Sequence, residues 1–369
     1  MTKKLHIVSF DVPFPADYGG VIDVFYRLVA LKECGYEITL HCYQCGRESR
    51  SELEEYCEEV VYYKRRRSVF SVLKKSPFIV ATRNSKRLLE NLLKDESPII
   101  FEGLHTCYFL DNKALKGRIK IVRTHNIEHD YYAGLGNSAQ GWRKWFFAQE
   151  SKKLKTFEAI LSKASAVLAI QENDVKHFSQ LNKNSIVMSA AAPPVNADFN
   201  AETKNYCLFH GNLSVLENEN AAIWVLNQIT FPETSPLIIA GKNPSKRMRS
   251  LCTASNVKLM ANPSELVMDK LIMEARLHIA YTEQSTGLKL KLIAGLNSSG
   301  HVIVNPKMVE GTSLAEVCLV AESPKRFTEL VQQCSSQALS ADQFEKRQKV
   351  LSKQFNNSQI CTILREIIK

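Results

Sequence analysis

Short apolar runs alternate with amphipathic stretches along almost the whole chain. Strands are predicted at Leu5–Phe10, Glu37–Tyr43, Val60–Tyr63, Ile99–Glu102, Ile119–Arg123, Ala166–Ile170 and Ser185–Ser189. A second series follows at Tyr206–His210, Pro236–Ala240, Val257–Met260, Leu277–Tyr281, Val302–Val304 and Val317–Ala321. Helical periodicity fills most of the gaps, as in Val21–Glu33, Trp142–Lys163, Glu217–Ile229, Ser264–Glu274 and Pro324–Cys334. Continuously apolar strands separated by helices indicate parallel sheets covered on both faces, because a strand buried on both sides has no polar face to show.

The two series are divided by Ala190–Asn200, AAAPPVNADFN, whose prolines and small residues read as a linker. Residues 1–189 then form one domain and residues 201–350 a second of ordinary size. The C-terminal stretch 355–369 is a candidate to pack back on the first. The expected architecture is two Rossmann-like, doubly wound α/β domains facing across a cleft. Ligands in open α/β sheets sit at the carboxyl ends of strands, so the loops after strands carry the chemistry.

Composition narrows the class. A chain of 369 residues, 45% hydrophobic, suits two cores. No apolar run is long enough for a spanning helix. The opening MTKKLHIVSFDVPF reads as a first strand rather than a signal peptide, which places the expected protein in the cytoplasm. The ten cysteines are scattered. Cys42 and Cys45 make a CxxC, but no second pair accompanies them, so zinc is disfavoured and ordinary thiols in a reducing compartment are expected. The net charge of +10 favours anionic partners.

In the first series, Asp11–Gly20 (DVPFPADYGG) leads from a strand into a helix, and Gly19 and Gly20 at the helix start let backbone amides approach an anion. This is not a GxGxxG, and a dinucleotide site is disfavoured. FEGLH puts Glu102 and His105 at one strand exit; THNIEH puts His125 at another, with Asn126, Glu128 and His129 behind. Such groups suit hydrogen bonding to sugar hydroxyls or movement of a proton. Two histidines and an acid also admit a metal, but their spacing is irregular and none is expected.

The second series has smaller, more polar loops. Gly211 and Asn212 follow the strand YCLFH, Gly241 and Lys242 follow PLIIA, and TGLKLK brings Gly287, Lys289 and Lys291 behind LHIAY. Together they outline a pocket for a base, a ribose and a diphosphate.

The order of these motifs resembles a GT-B glycosyltransferase of the family 4 type, over nearly the whole chain. PADYGGVIDVF is similar to that family's acceptor-side loop, RTHNIEHDYY to its HN-E-H segment, FHGNLSVLENENAA and LIIAGKNPS to its nucleotide loops, and TGLKLKLIAGLNSSG to its G-x-K-x-K-x-x-E-A segment. The resemblance implies a nucleotide-sugar donor on the C-terminal domain, a glycan or lipid-linked acceptor on the N-terminal one, and polysaccharide biosynthesis by a hexosyltransferase that is retaining and needs no metal or other cofactor. His125 and Glu102 are then the catalytic candidates. Gly211, Asn212, Gly241, Lys242, Glu283, Gly287, Lys289 and Lys291 are candidates for the donor, and Asp17, Gly19 and Gly20 for the acceptor and phosphate loop. Ala294 stands where the family has a glutamate that holds the ribose, and the Arg and Lys usual after the first strand of the second domain are replaced by Asn212, Ser214 and Leu216. Two alternatives therefore stay open: a weak or inactive descendant that binds nucleotide or sugar, and a nucleotide-sugar 2-epimerase.

Tyr62–Lys75 (YYKRRRSVFSVLKK) and Trp142–Lys155 (WRKWFFAQESKKLK) are basic and aromatic. They suit either peripheral contact with anionic membrane at its inner face or a solvated basic face. No nucleic-acid-binding module is visible, and no nucleic acid is expected.

Overall fold

The computed structural model describes all residues except 1–2, 17–18, 67–70, 73, 194–197, 200–201, 284–289 and 356, and the side chains of Ser138 and Leu290. The chain divides into two compact α/β units, with the division at Pro193 and Pro194, inside the segment read as a linker. Ala190, Ala191 and Ala192 are buried in the first unit, and the amide of Ala191 donates to Asp23 Oδ1 at 2.7 Å. These small residues serve as core there, not as spacer.

The first unit is built on seven parallel strands: β1 (Lys3–Ser9), β2 (Tyr36–Gln44), β3 (Glu59–Lys64), β4 (Ile99–Glu102), β5 (Lys120–Arg123), β6 (Ala166–Ala169) and β7 (Ser185–Val187), in the order β3-β2-β1-β4-β5-β6-β7. Strands β4, β5 and β6 are buried at every position, which is why their centres read as apolar without alternation and charges stand only at strand ends. The second unit has six: β8 (Lys204–His210), β9 (Leu237–Gly241), β10 (Val257–Ala261), β11 (Ala275–Ala280), β12 (His301–Val304) and β13 (Leu319–Val320), in the order β10-β9-β8-β11-β12-β13, again all parallel. In both sheets the order reverses beside the first strand, between β1 and β4 and between β8 and β11. Connections leave such neighbours in opposite directions, and a crevice opens at their carboxyl ends.

The C-terminal helix Ser358–Ile368 lies in the first unit, its Ile360 and Leu364 buried in one cluster with Leu28 and Leu31 of the helix Gly19–Glu33. Cys361 is disulfide-bonded to Cys34. This corrects the expectation of uniformly free thiols. The pairing depends on one helix docking against another, a contact that cysteine spacing cannot report. Cys42 and Cys45 are both free.

Candidate functional site

At the first switch point, Phe10 begins a loop fastened by its neighbours. Asp11 Oδ1 accepts from the amides of Val12 (2.9 Å) and Cys45 (3.2 Å), and Arg47 Nη1 donates to the carbonyls of Val12 (2.7 Å) and Pro15 (2.9 Å). Arg83 donates to the Phe10 carbonyl through Nε (3.2 Å) and Nη2 (3.0 Å). The Phe10 ring then lies against both histidines, 5.4 Å from His105 and 5.3 Å from His125 between centroids. Gly19 and Gly20 open the helix Gly19–Glu33. A Cβ on Gly20 would fall 2.6 Å from Phe10 Cζ, so glycine is what lets the ring sit there. Asp17 lies outside the described residues.

Beneath this ring is a buried charge network. Arg27 Nη2 donates to Glu102 Oε2 at 2.7 Å, and its Nη1 lies 3.2 Å from Asp23 Oδ2. Arg123 Nε donates to Asp23 Oδ2 at 3.1 Å, and its Nη1 donates to the Met188 carbonyl. His125 faces both acids: Nε2 is 3.0 Å from Glu102 Oε2 and Nδ1 is 3.5 Å from Asp23 Oδ2. Two guanidiniums thus balance two carboxylates. Burial raises the cost of ionising Asp23, but Arg123 and Arg27 outweigh it and hold that carboxyl well below the usual carboxylate range. The structure brings His125 and Glu102 together. Glu102 has no exposed surface, so whatever it contributes passes through His125, which it orients.

One polar pair above the network is unfinished. His105 Nδ1 and Glu128 Oε1 are both buried without a hydrogen-bond partner, 3.8 Å apart, too far for a direct bond. Burial, followed by repulsion from Glu158, raises the Glu128 carboxyl to about 8. Burial also pushes His105 well below its ordinary value. A neutral acid and a neutral imidazole then face each other 3.8 Å apart, too far for a direct bond and too close for an atom to sit between them.

Among the described residues, two sets of three donor atoms lie within 4.8 Å of one another, as a cation would require: Asp23–Glu102–His125 and His129–Glu158–His177. Each is already internally bonded. In the second, His129 Nδ1 and His177 Nε2 each sit 2.9 Å from a different oxygen of Glu158, so an ion would have to displace both bonds.

At the second switch point the materials differ. Gly211 and Asn212 follow β8, and Gly241 ends β9. A Cβ on Gly241 would lie 1.9 Å from the Gly211 carbonyl oxygen, so the two strand exits touch backbone to backbone. Lys291, on the helix Leu290–Leu296 that follows β11, donates through Nζ to Asn218 Oδ1 at 3.0 Å and lies 5.7 Å from the centre of the Phe209 ring. Asn218 in turn donates to the Asn212 carbonyl at 3.0 Å. Gly211, Asn212, Gly241 and Lys291 therefore form one connected group. Burial, and then the charge of Lys291, lowers His210 at the end of β8 to about 4. Lys242 is exposed beyond β9. Glu283 is exposed and pairs with Lys307 at 3.2 Å, while Tyr281 Oη also donates to it. Gly287 and Lys289 lie outside the described residues.

No protein-family model matches the sequence. A relative in Klebsiella pneumoniae, an uncharacterized 44.6 kDa protein in cps region, is 27% identical over 333 residues, 84% of either chain. Among solved structures, TarM of S. aureus, crystallised with UDP among its ligands, superposes with a TM-score of 0.70 at 11% identity, over 100% of both chains. HepE of Anabaena, crystallised with UDP and glucose, gives 0.67 at 11% identity, over 99% of this chain and 98% of its own. The fold is GT-B.

Within a GT-B frame, sequence reasoning missed Phe10, Asp23, Arg27, Arg83 and Arg123. One signal was available. Asp23 and Arg27 stand four residues apart in VIDVFYRL, opposite charges on the face the apolar residues bury. The GT-B resemblance also marks position 294, where the half-buried side chain is the methyl of alanine.

Proposed function

We propose that the protein is a glycosyltransferase that moves a hexose from a nucleoside-diphosphate sugar to a glycan or lipid-linked acceptor in polysaccharide biosynthesis. The observation that carries the reading is the connected group at the β8/β11 switch point. There, strand exits bare of side chains meet a lysine seated on an aromatic ring, a surface suited to a base, a ribose and a diphosphate. The UDP held by HepE and TarM and the cps region of the Klebsiella relative support it.

Transfer with retention breaks the bond between the anomeric carbon and the diphosphate oxygen, through an oxocarbenium-like state, and forms a bond from that carbon to an acceptor hydroxyl oxygen, whose proton leaves with the nucleoside diphosphate. Charge builds on the departing diphosphate, and Lys291 with the neighbouring backbone amides neutralises it in place of a divalent cation. In the first unit, the His125 ring is locked by two carboxylates beside Phe10. No helix among the described residues is long and apolar enough to cross a membrane. The reading puts the protein in the cytoplasm, in peripheral contact with the inner membrane face, where a lipid-linked acceptor lies.

The test is thermal shift with a panel of nucleoside diphosphates and nucleotide sugars, followed by an assay for released nucleoside diphosphate. A selective shift with turnover is expected. Lys291→Ala should weaken nucleotide binding roughly ten- to a hundredfold, the worth of one charged hydrogen bond, whereas Lys75→Ala should leave it unchanged. Equal effects of the two substitutions would sink this assignment. Binding without turnover would mark a descendant that has kept the site and lost the chemistry.

A further inference from the structure

The two basic, aromatic stretches meet in space. The Phe78 ring lies 6.1 Å from Phe146, the Phe78 amide donates to Glu150 Oε2 at 2.5 Å, and Lys153 Nζ donates to the Val72 carbonyl at 2.5 Å. Arg65 lies over the Phe78 ring at 5.4 Å. Val72 and Phe78 therefore lie beside the helix Gly141–Phe157. That helix carries a single acid, Glu150, which is fully buried and paired with Lys153 at 2.8 Å. Its solvent face presents Lys144, Lys152 and Lys155, the exposed Arg143 of the first turn lies over the Trp142 ring at 5.9 Å, the helix offers these cations no opposing charge, and Lys74 and Lys75 are exposed on the neighbouring segment.

On the same face, Trp142 is 72% exposed and Trp145 is 58% exposed, three residues apart and so on one side of the helix. A solvated basic face needs no tryptophan, and large indoles are seldom left in water without cause. Indoles beside cations are what a lipid headgroup layer accepts, apolar ring inward and N–H toward the headgroups.

We propose that the solvent face of the helix Gly141–Phe157, together with Lys74 and Lys75, docks on an anionic phospholipid bilayer, with Trp142 and Trp145 entering the headgroup layer. This deepens the lipid-linked reading of the acceptor and rests on it, while using no residue of the donor group.

Flotation of the full chain with phosphatidylcholine vesicles, with and without phosphatidylglycerol, tests it. Binding to the anionic vesicles alone is expected, weakening with salt. The tryptophan emission should shift to the blue on binding. The only other tryptophan, Trp224, is stacked on Tyr281 at 3.8 Å in the second unit and serves as an internal reference. Arg143→Glu with Lys144→Glu should lower vesicle affinity by tenfold or more, at about fivefold per charge, and Trp142→Ala with Trp145→Ala by about tenfold. All four positions are exposed, and an unchanged melting temperature confirms folding.

Equal binding to neutral vesicles, or none at low salt, overturns the proposal. So does salt-sensitive binding that ignores the tryptophans and is matched by RNA, which would mark a general polyanion surface. Nucleoside-diphosphate binding, measured on the same samples, separates the two readings. Donor binding without vesicle binding removes only the docking surface, and the reverse removes only the transferase.

Discussion

The two switch points occupy equivalent places in their sheets and are made of opposite materials. Beside β1 and β4, Asp23, Arg27, Glu102 and Arg123 are buried against one another as ion pairs and hold His125 at the edge, with Arg27 Nε, Glu102 Oε1 and Arg123 Nη2 left without hydrogen-bond partners. Beside β8 and β11 the two glycines bring backbone together, and around them stand two asparagines, His210 and Lys291. The first arrangement builds rigidity from side chains, at a heavy desolvation cost repaid only when every partner is present. The second gains closeness by dispensing with side chains at Gly211 and Gly241, and its one lysine is held by a chain of neutral amides rather than by a carboxylate. Damage should therefore appear as lost stability at the first and as lost affinity at the second.

Asp23→Asn tests the contrast most severely. It strips Arg123 and Arg27 of a shared counter-charge and should cost about 3–5 kcal/mol in chemical denaturation. An effect below about 1 kcal/mol would mean that water replaces the pair and that the network is not closed. The wild-type network should also fail in acid. Because the Asp23 carboxyl is depressed in the folded state, its contribution is complete above the unfolded value near 4 and is lost as the pH falls further.

Glu128→Gln should act in the opposite direction. A carboxyl raised to about 8 by burial and by Glu158 disfavours the folded state increasingly as the pH climbs from about 4 to about 8. The amide escapes this, so the variant should gain on wild type across that window, by about 4 kcal/mol at its upper end. A gain that does not vary with pH would sever the effect from ionisation.

Gly241→Ala should force the β8 and β9 exits apart and cost about 1–3 kcal/mol. Nucleotide affinity should fall in the same variant, read by titration calorimetry. Stability lost with affinity intact would place the nucleotide elsewhere. The smallest expected effect is a gain. Ala294→Glu restores the acid that the family resemblance assigns to the ribose and should tighten donor binding up to about tenfold; no change would show that this site holds its ligand without that contact.

The sheets were readable because parallel strands buried on both faces cannot alternate. AVLA is an unbroken apolar run, and IIFE and KIVR are apolar runs with charges only at their ends. The edge strand β13 was the exception, expected over Val317–Ala321 and found at Leu319–Val320, because the chain is still in a 3₁₀ turn through Ser313–Val317. Glu102 and His125 were legible as polar residues at strand exits. Asp23, Arg27 and Arg123 were not, because a charge inside an apolar run looks like a defect until its partner, here up to 100 residues away, is folded against it. Phe10 was hidden for the opposite reason, since a ring at the end of a strand is ordinary until two histidines and a glycine are placed around it.

The bond between Cys34 and Cys361 closes most of the polypeptide into a covalent ring, spanning a sequence separation of 327. A protease that nicks any exposed turn inside it opens the ring without releasing a fragment. Nicked and intact molecules would then carry the same mass on a gel run without reductant and separate only after thiol treatment.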